Sequence, residues 1–249
     1  MDNLPWLIAA GFLAGAMNAI AGGGSFVTFP VLVLAGLPAV IANATSTVAL
    51  FPGTIASTWA YRDALRGIAG VRLRVMLPIS VVGGLVGAGL LLVAPASAFD
   101  AIIPWLLLLA TMTFAGGREF GLALSRRVRI GMMPLLLIQF AISVYGGYFG
   151  GAVGLMMLAV WSLLDAAELK SMAGARTLLV SAANGAAVLC FISAGAVAWP
   201  EALSMLVAAA IGGYAGARAA GRVPARVIRL LVLLISTTVT AAFFARAYG

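Results

Sequence analysis

The sequence predicts an all-α polytopic membrane protein made of two inverted-topology repeats of about five helical segments each, the first pair in each half broken or re-entrant. Three observations carry that prediction. Of the 249 residues 63% are hydrophobic and 9% charged, with a mean hydropathy of +1.14, far from the roughly half-apolar, quarter-charged mix of soluble domains. The stretch Gly83-Gly84-Leu85-Val86-Gly87-Ala88 returns 129 positions later as Gly212-Gly213-Tyr214-Ala215-Gly216-Ala217, and a Pro-Ala pair follows each copy at the same spacing (Pro95-Ala96, Pro224-Ala225). The turn after the first copy, 94–100, carries no basic residue, whereas Arg218, Arg222, Arg226 and Arg229 crowd the matching turn of the second. Basic residues mark cytoplasmic loops, so the two copies face opposite ways across the bilayer.

The apolar segments are bounded by Gly, Pro and Arg and show no ten-residue alternation, which fits helices and not an outer-membrane barrel. Repeat one (about 4–117) holds segments at 4–21, 25–36, 39–61, 71–93 and 99–116; repeat two (about 131–247) holds 131–149, 153–164, 167–194, 200–217 and 225–246. A cytoplasmic linker at about 118–130 joins them, and residues 1–249 read as a single transmembrane domain. The first segment of each half ends in a glycine cluster, Gly22-Gly23-Gly24-Ser25 or Gly146-Gly147-Tyr148-Phe149-Gly150-Gly151. The second segment that follows is about a dozen residues, short of the roughly 20 that a straight spanning helix needs. Each first pair is therefore expected to be a hairpin or a re-entrant element. The third segment is followed by Arg62, Arg66, Arg72 and Arg74, and the linker carries Arg118, Arg126, Arg127 and Arg129, which places those loops in the cytoplasm. The turns at 94–100 and 195–201 carry only Asp100 and Glu201, and the amino terminus only Asp2. Both termini are then expected outside, with Arg246 the one basic residue on that side. The first helix has no basic flank and no cleavage site, so it is expected to be retained.

Composition also excludes function classes. The chain has one cysteine, Cys190, and no histidine, which leaves no disulfide framework, no ordinary His/Cys metal site and no histidine-based nucleophile relay. No cofactor is expected, and an intramembrane enzyme is disfavoured. The net charge of +8 sits in short loops between apolar spans, so nucleic acid is not the expected partner; the lipid bilayer is. The thirty glycines suit close helix contacts in lipid, which leaves room for a homodimer.

Three features point to a site. Counted from Ala166, Arg176 falls about 15 Å deep in a core about 30 Å thick. An arginine there costs about 2.5 to 3.5 kcal/mol on insertion scales, so it needs a partner. No acidic residue is expected at that depth, and the missing counter-charge is read as an anionic substrate; the alternatives are backbone carbonyls or Asp165 reached through a kink. On a helical wheel Thr177 and Asn184 share the face of Arg176, with Val180 between. Repeat alignment sets Thr45 and Ser46, with Asn43 just before them, opposite this pair. Thr47, Thr54 and Ser57 are instead expected to bond their own helical turn. Helix starts at Gly22, Gly23, Gly24 and Ser25, and at Gly150, Gly151 and Gly154, point unsatisfied N–H groups and the positive dipole end toward the bilayer centre, a geometry that binds anions. Asn18 and Gln139, on the first helix of each half, either add amides to the site or bridge helices.

The stretch Gly11 to Pro30 (GFLAGAMNAIAGGGSFVTFP), the run Ala42-Asn43-Ala44-Thr45-Ser46 and the repeat around Tyr145 to Leu158 together resemble the TauE/SafE sulfite exporter family of bacterial membrane proteins, over essentially the whole chain. In the second half the glycine run is interrupted by Ala152-Val153, and Arg176-Thr177 stands where the family commonly has Gly-Thr. The resemblance implies a multi-pass protein of the bacterial inner membrane that exports, or in some members takes up, sulfite, sulfoacetate and other small sulfur-containing anions. Read together, the residues and the resemblance predict export of such an anion by alternating access at a mid-membrane site, with both termini periplasmic. Cation-coupled uptake of a small anion, and a non-transporting membrane scaffold, are the alternatives.

Overall fold

The computed structural model describes residues 3–21, 23–65, 67–68, 71–125, 131–161, 172–219 and 225–248. Within them the chain forms ten α-helices: α1 (Leu4–Ala21), α2 (Ser25–Leu34), α3 (Ala39–Ala60), α4 (Leu73–Val93), α5 (Ala96–Ser125), α6 (Met132–Tyr148), α7 (Val153–Trp161), α8 (Met172–Ser193), α9 (Trp199–Ala219) and α10 (Ala225–Tyr248). Five of these contain stretches long and apolar enough to cross a membrane: Ala39–Trp59, Leu73–Val93, Ala96–Gly117, Gly174–Ser193 and Leu230–Tyr248. The protein is thus an all-helical, multi-pass membrane protein, as its composition requires.

The short second segments are short in the structure too. α2 has 10 residues, about 15 Å of helix, half a bilayer core. It doubles back on α1: a Cβ placed on Gly24 would lie 2.6 Å from the Ala14 carbonyl oxygen, so only glycine allows the approach. α2 ends in a glycine-terminated cap, with Gly36 at φ +96° and the N–H groups of Gly36 and Leu37 bonded to Val33 and Leu32. The same pair of bonds ends α8 at Gly195 and Ala196. α5 runs on to Ser125, well past the end expected at 116. Helix therefore takes up much of the stretch expected as a linker, and 126–130 lie outside the described residues.

Packing sorts the helices into two groups. α1 lies on α9 and α4 on α6, while α3 and α8 contact each other and connect the two pairs. The duplicated glycine motif makes this possible. Gly83 and Gly87 let the backbone of α6 against α4, and Gly212 and Gly216 let that of α1 against α9; at Gly216 a Cβ would meet the Ala16 Cα at 2.7 Å. Close backbone approach of this kind is how small residues join helices in lipid. The remaining four helices form the second group: α5 lies on α10 and α7, and α10 on α2. α5 and α10 are joined by the Thr111 and Thr240 hydroxyls, 3.1 Å apart and separated in sequence by 129, the spacing of the glycine motif. α2 and α7 meet the first group through α1, α3, α6 and α8.

Candidate functional site

A cavity of about 150 Å³ lies where α2 and α7 face α1, α3 and α8. At about 30 Å³ per water it accommodates roughly five waters or one small ion with part of its hydration. α3 contributes one stripe at helical spacing, Ser46, Thr47, Leu50, Thr54 and Ser57, continued by Tyr61 just past its end. α8 contributes Arg176, Thr177, Val180 and Asn184, the wheel face expected from sequence. Asn18 of α1, Ser25 at the start of α2, Gly150 in the α6–α7 turn, and Val153, Gly154 and Leu155 of α7 complete the wall.

The turn between α6 and α7 brings a second helix start to this cavity. Gly150 and Ala152 both sit in the left-handed region, at φ +77° and +58°. Glycine does so freely, whereas alanine there costs roughly 1–2 kcal/mol. Backbone strain of this kind clusters at functional sites. The turn touches the start of α2: a Cβ on Gly151 would stand 3.6 Å from the Ser25 Oγ. Two helix N-termini therefore meet beside one cavity, with their positive dipole ends toward it; the N–H groups of Phe26 and Val27 in α2 are taken up by the Gly23 and Gly24 carbonyls, and that of Leu155 in α7 by Ala152.

Arg176 adds the formal charge. Its stem runs over Gly154, where a Cβ would lie 3.3 Å from Cδ and 3.5 Å from Cγ, so the glycine leaves room for the side chain. No described residue gives its guanidinium an ion pair or a hydrogen bond. The count that puts it at mid-membrane starts from Ala166, outside the described residues, as is Asp165. Along the described helix it falls in the first turn of the apolar stretch Gly174–Ser193, whose midpoint is close to Asn184. The arginine thus lies toward the Tyr61 end of the cavity and not at its centre. Asn184 is buried, and its Oδ1 has no hydrogen-bond partner.

Four hydroxyls of the wall donate to carbonyls of their own helix. Thr47 donates to the Asn43 carbonyl (2.9 Å), Thr54 to Phe51 (2.8 Å), Ser57 to Gly53 (2.9 Å) and Thr177 to Gly174 (3.0 Å). Thr47, Thr54 and Ser57 do bond their own turn as expected, and they line the cavity as well.

Other expected site residues lie elsewhere. Asn43 donates to the Tyr148 carbonyl at the end of α6 (2.9 Å), and Thr45 accepts the Ala198 N–H (3.0 Å). Neither lines the cavity; adjacent Ser46 does, and it also shares a hydrogen bond with Thr28 of α2. Gln139 donates to Ser80 (3.0 Å) and bridges α6 to α4, away from the cavity. Gly23, Gly24 and Gly151 shape the two turns without lining it, and Gly22 lies outside the described residues. Tyr61, Leu50 and Leu155 are lining residues that the sequence reading did not pick out, although Leu50 and Tyr61 extend the α3 stripe of 47, 54 and 57. A cluster of rings lies beside the α6–α7 turn, outside the cavity lining. Phe149 packs edge-on against Phe29 (5.7 Å between centroids) and near Tyr145 (6.1 Å), and Phe29 stacks on Phe243 (5.4 Å).

A family model described as Sulfite exporter TauE/SafE matches residues 7–243. The chain is 31% identical over 238 residues to the probable membrane transporter protein ORF9 of Sinorhizobium sp, covering 94% of this chain and 89% of that protein. It is 28% identical over 247 residues to a probable membrane transporter protein of Haemophilus influenzae, covering 97% and 94%. It is 26% identical over 244 residues to the probable membrane transporter protein YfcA of Escherichia coli, covering 98% and 90%. No solved structure matches it.

Proposed function

The chain belongs to the TauE/SafE sulfite exporter family and is a membrane transporter, and from that premise we propose that it exports a small sulfur-containing anion, sulfite or an organosulfonate such as sulfoacetate, across the bacterial inner membrane. The observation that carries the reading is Arg176: a cation with no ion pair or hydrogen bond among the described residues, lining a small cavity where two helix starts converge. An unpaired arginine in an apolar span is costly, and an anion is the counter-charge that relieves it. Arg176, Asn184, Asn18 and the α2 and α7 starts hold the anion; Ser46, Thr177 and Gly150 shape its surroundings.

The inverted repeat is supported by exchange of matching contacts. α1 on α9 corresponds to α6 on α4, α3 on α9 to α8 on α4, and α2 on α10 to α7 on α5. A two-fold axis between the repeats would pass between Thr111 and Thr240, which pair with each other at the repeat spacing. With the arginine-rich loops inside, the Tyr61 end of α3 faces the cytoplasm and the cavity opens inward, while both termini lie outside.

Whole repeats cannot rock against one another, because glycine contacts lock α1 to α9 and α4 to α6 across the repeat boundary. The moving parts are instead the two helix groups, with α2, α5, α7 and α10 shifting against the other six and the site on the seam. Opening outward would part the Phe29–Phe149 rings and the bonds that Asn43 and Ser46 make across to Tyr148 and Thr28. Export is downhill for an anion: one negative charge leaving an interior-negative cell at about 100 mV gains about 2.3 kcal/mol, close to a fifty-fold gradient.

The test is thermal stabilisation of purified wild type and Arg176→Ala by sulfite, sulfate, sulfoacetate, taurine and chloride at matched ionic strength, followed by proteoliposome flux of any anion that binds. Saturable stabilisation lost in the mutant, with electrogenic efflux, is the expected result. Equal responses from both proteins would remove Arg176 from the site. Flux that requires an inward sodium or proton gradient would mean uptake, and co-purification with a partner in the absence of any anion response would mean a scaffold.

A further inference from the structure

Building on that anion site, we infer that its substrate carries a hydrogen-bond donor as well as its negative charge: a protonated oxyanion, or a sulfonate bearing a hydroxyl or amino group. The inference comes from the α3 wall. Each of Thr47, Thr54 and Ser57 has one hydroxyl proton, and each gives it to a carbonyl of its own helix at 2.8–2.9 Å. A carbonyl cannot donate, so the hydroxyl must, and only oxygen lone pairs are left for the cavity.

The groups able to donate lie around that stretch of α3, at the Arg176 guanidinium, the Asn18 and Asn184 amides and the Ser25, Ser46 and Tyr61 hydroxyls. The cavity is therefore two-faced, and at about 150 Å³ a ligand that fills it meets both faces. An anion whose surface is all acceptor, such as sulfate or an alkyl sulfonate, satisfies the donor side but sets its oxygens or methyl groups against acceptors. Its alternatives are to retain water there or to break the helix bonds. An anion with a donor away from its charge satisfies both sides. Sites built to hydrogen-bond one substrate group discriminate strongly against analogues that lack it, because the site's own polar groups are left unpaired.

Matched anions test this on the purified full-length protein at constant ionic strength. The pairs are methanesulfonate with hydroxymethanesulfonate, and ethanesulfonate with 2-hydroxyethanesulfonate, titrated by thermal shift; sulfite is titrated across its second ionisation. The hydroxylated member of at least one pair should bind roughly tenfold or more tightly, and sulfite binding should weaken as the dianion replaces hydrogen sulfite. The Thr54→Val and Ser57→Ala double variant should bring the pair together while still binding the plain sulfonate; that residual binding shows it is folded. Equal or reversed binding within the pairs, a preference for the sulfite dianion, or binding confined to sulfate or chloride overturns the inference and leaves the anion site standing. A double variant that keeps the full preference overturns it as well. If no anion binds at all, the anion site itself fails, and this inference with it.

Discussion

Replacing Arg176 with methionine separates a substrate-binding arginine from a structural one by the sign of its effect on the empty protein. Methionine keeps an unbranched stem against Gly154, whose position lies 3.3 Å from Cδ when extended by a Cβ, and removes only the charge. If the guanidinium held the fold together through a buried pair, its loss would strand that partner and cost about 3–5 kcal/mol. At about 2–4 °C per kcal/mol for a chain of this size, the unfolding midpoint would fall by roughly 6–20 °C. The structure gives Arg176 no such partner among the described residues. Methionine instead removes a charge at the end of an apolar span, where the insertion cost is below the roughly 2.5–3.5 kcal/mol of a central arginine. The ligand-free midpoint should then hold or rise by a few degrees. With an anion at about one hundred times its Kd, wild type should gain about 2.7 kcal/mol, or roughly 5–11 °C, and Arg176→Met should gain none. The assay is differential scanning fluorimetry in detergent with and without the anion. A ligand-free fall of more than about 6 °C in the mutant would refute the argument, whatever the anion then does.

Three further outcomes follow from the same geometry. In a Cys190→Ala background, a Thr28→Cys/Ser46→Cys disulfide crosses the seam between the helix groups and should abolish flux until reduced, whereas Thr111→Cys/Thr240→Cys lies within one group and should leave flux intact under oxidation. Gly216→Ala forces a Cβ to 2.7 Å from the Ala16 Cα and should destabilise by about 1–3 kcal/mol in thermal unfolding, while Gly89→Ala, with nothing within 4 Å, should be neutral or gain up to about 1 kcal/mol. Gly154→Ala should leave the midpoint unchanged but weaken anion binding by roughly three- to tenfold in the thermal-shift titration, because the Arg176 stem must shift by a few tenths of an ångström.

Most of the architecture was legible because it rests on apolar length and on glycine. The ten helices fall close to the predicted segments, and the two short ones, α2 and α7, follow the glycine clusters that predict them. The site was legible as a face but not as a set of partners. Helical spacing put Arg176, Thr177 and Asn184 together, and all three line the cavity. It could not distinguish Thr45 from Ser46, which differ by 100° around α3: one meets Ala198 in the loop after α8, and the other meets the cavity and α2. Gln139 shows the same limit, since an amide on a buried face says that a partner exists and not that the partner is Ser80. The depth of Arg176 depended on where its helix enters the membrane, which the polar run before Met172 leaves open.

The duplicated glycine motif restricts how the two halves can move. A repeat is a unit of sequence, and an obvious mechanism moves one against the other. Gly83, Gly84 and Gly87, however, are spent on contacts with α6 and α8 of the other half, and Gly212 and Gly216 on contacts with α1. Backbone on backbone leaves no side chain to rearrange, and interfaces of this kind resist sliding. The duplication therefore welds the halves together through six helices. What remains is α2, α5, α7 and α10, two from each half, of which α2 is itself held on α1 at its start by the close approach of Gly24 to the Ala14 carbonyl. On the proposed inverted repeat, each group keeps the two-fold relation, since exchange of the halves turns α2 into α7 and α5 into α10. Under that proposal, a shift that opens the cavity toward Tyr61 would have a counterpart of similar energy that opens it toward Pro38. The small cavity lies on that seam, with Ser25 and Gly154 on one side and Ser46, Arg176 and Asn184 on the other, so an anion bound as proposed would be shared between the parts that move and those that stay.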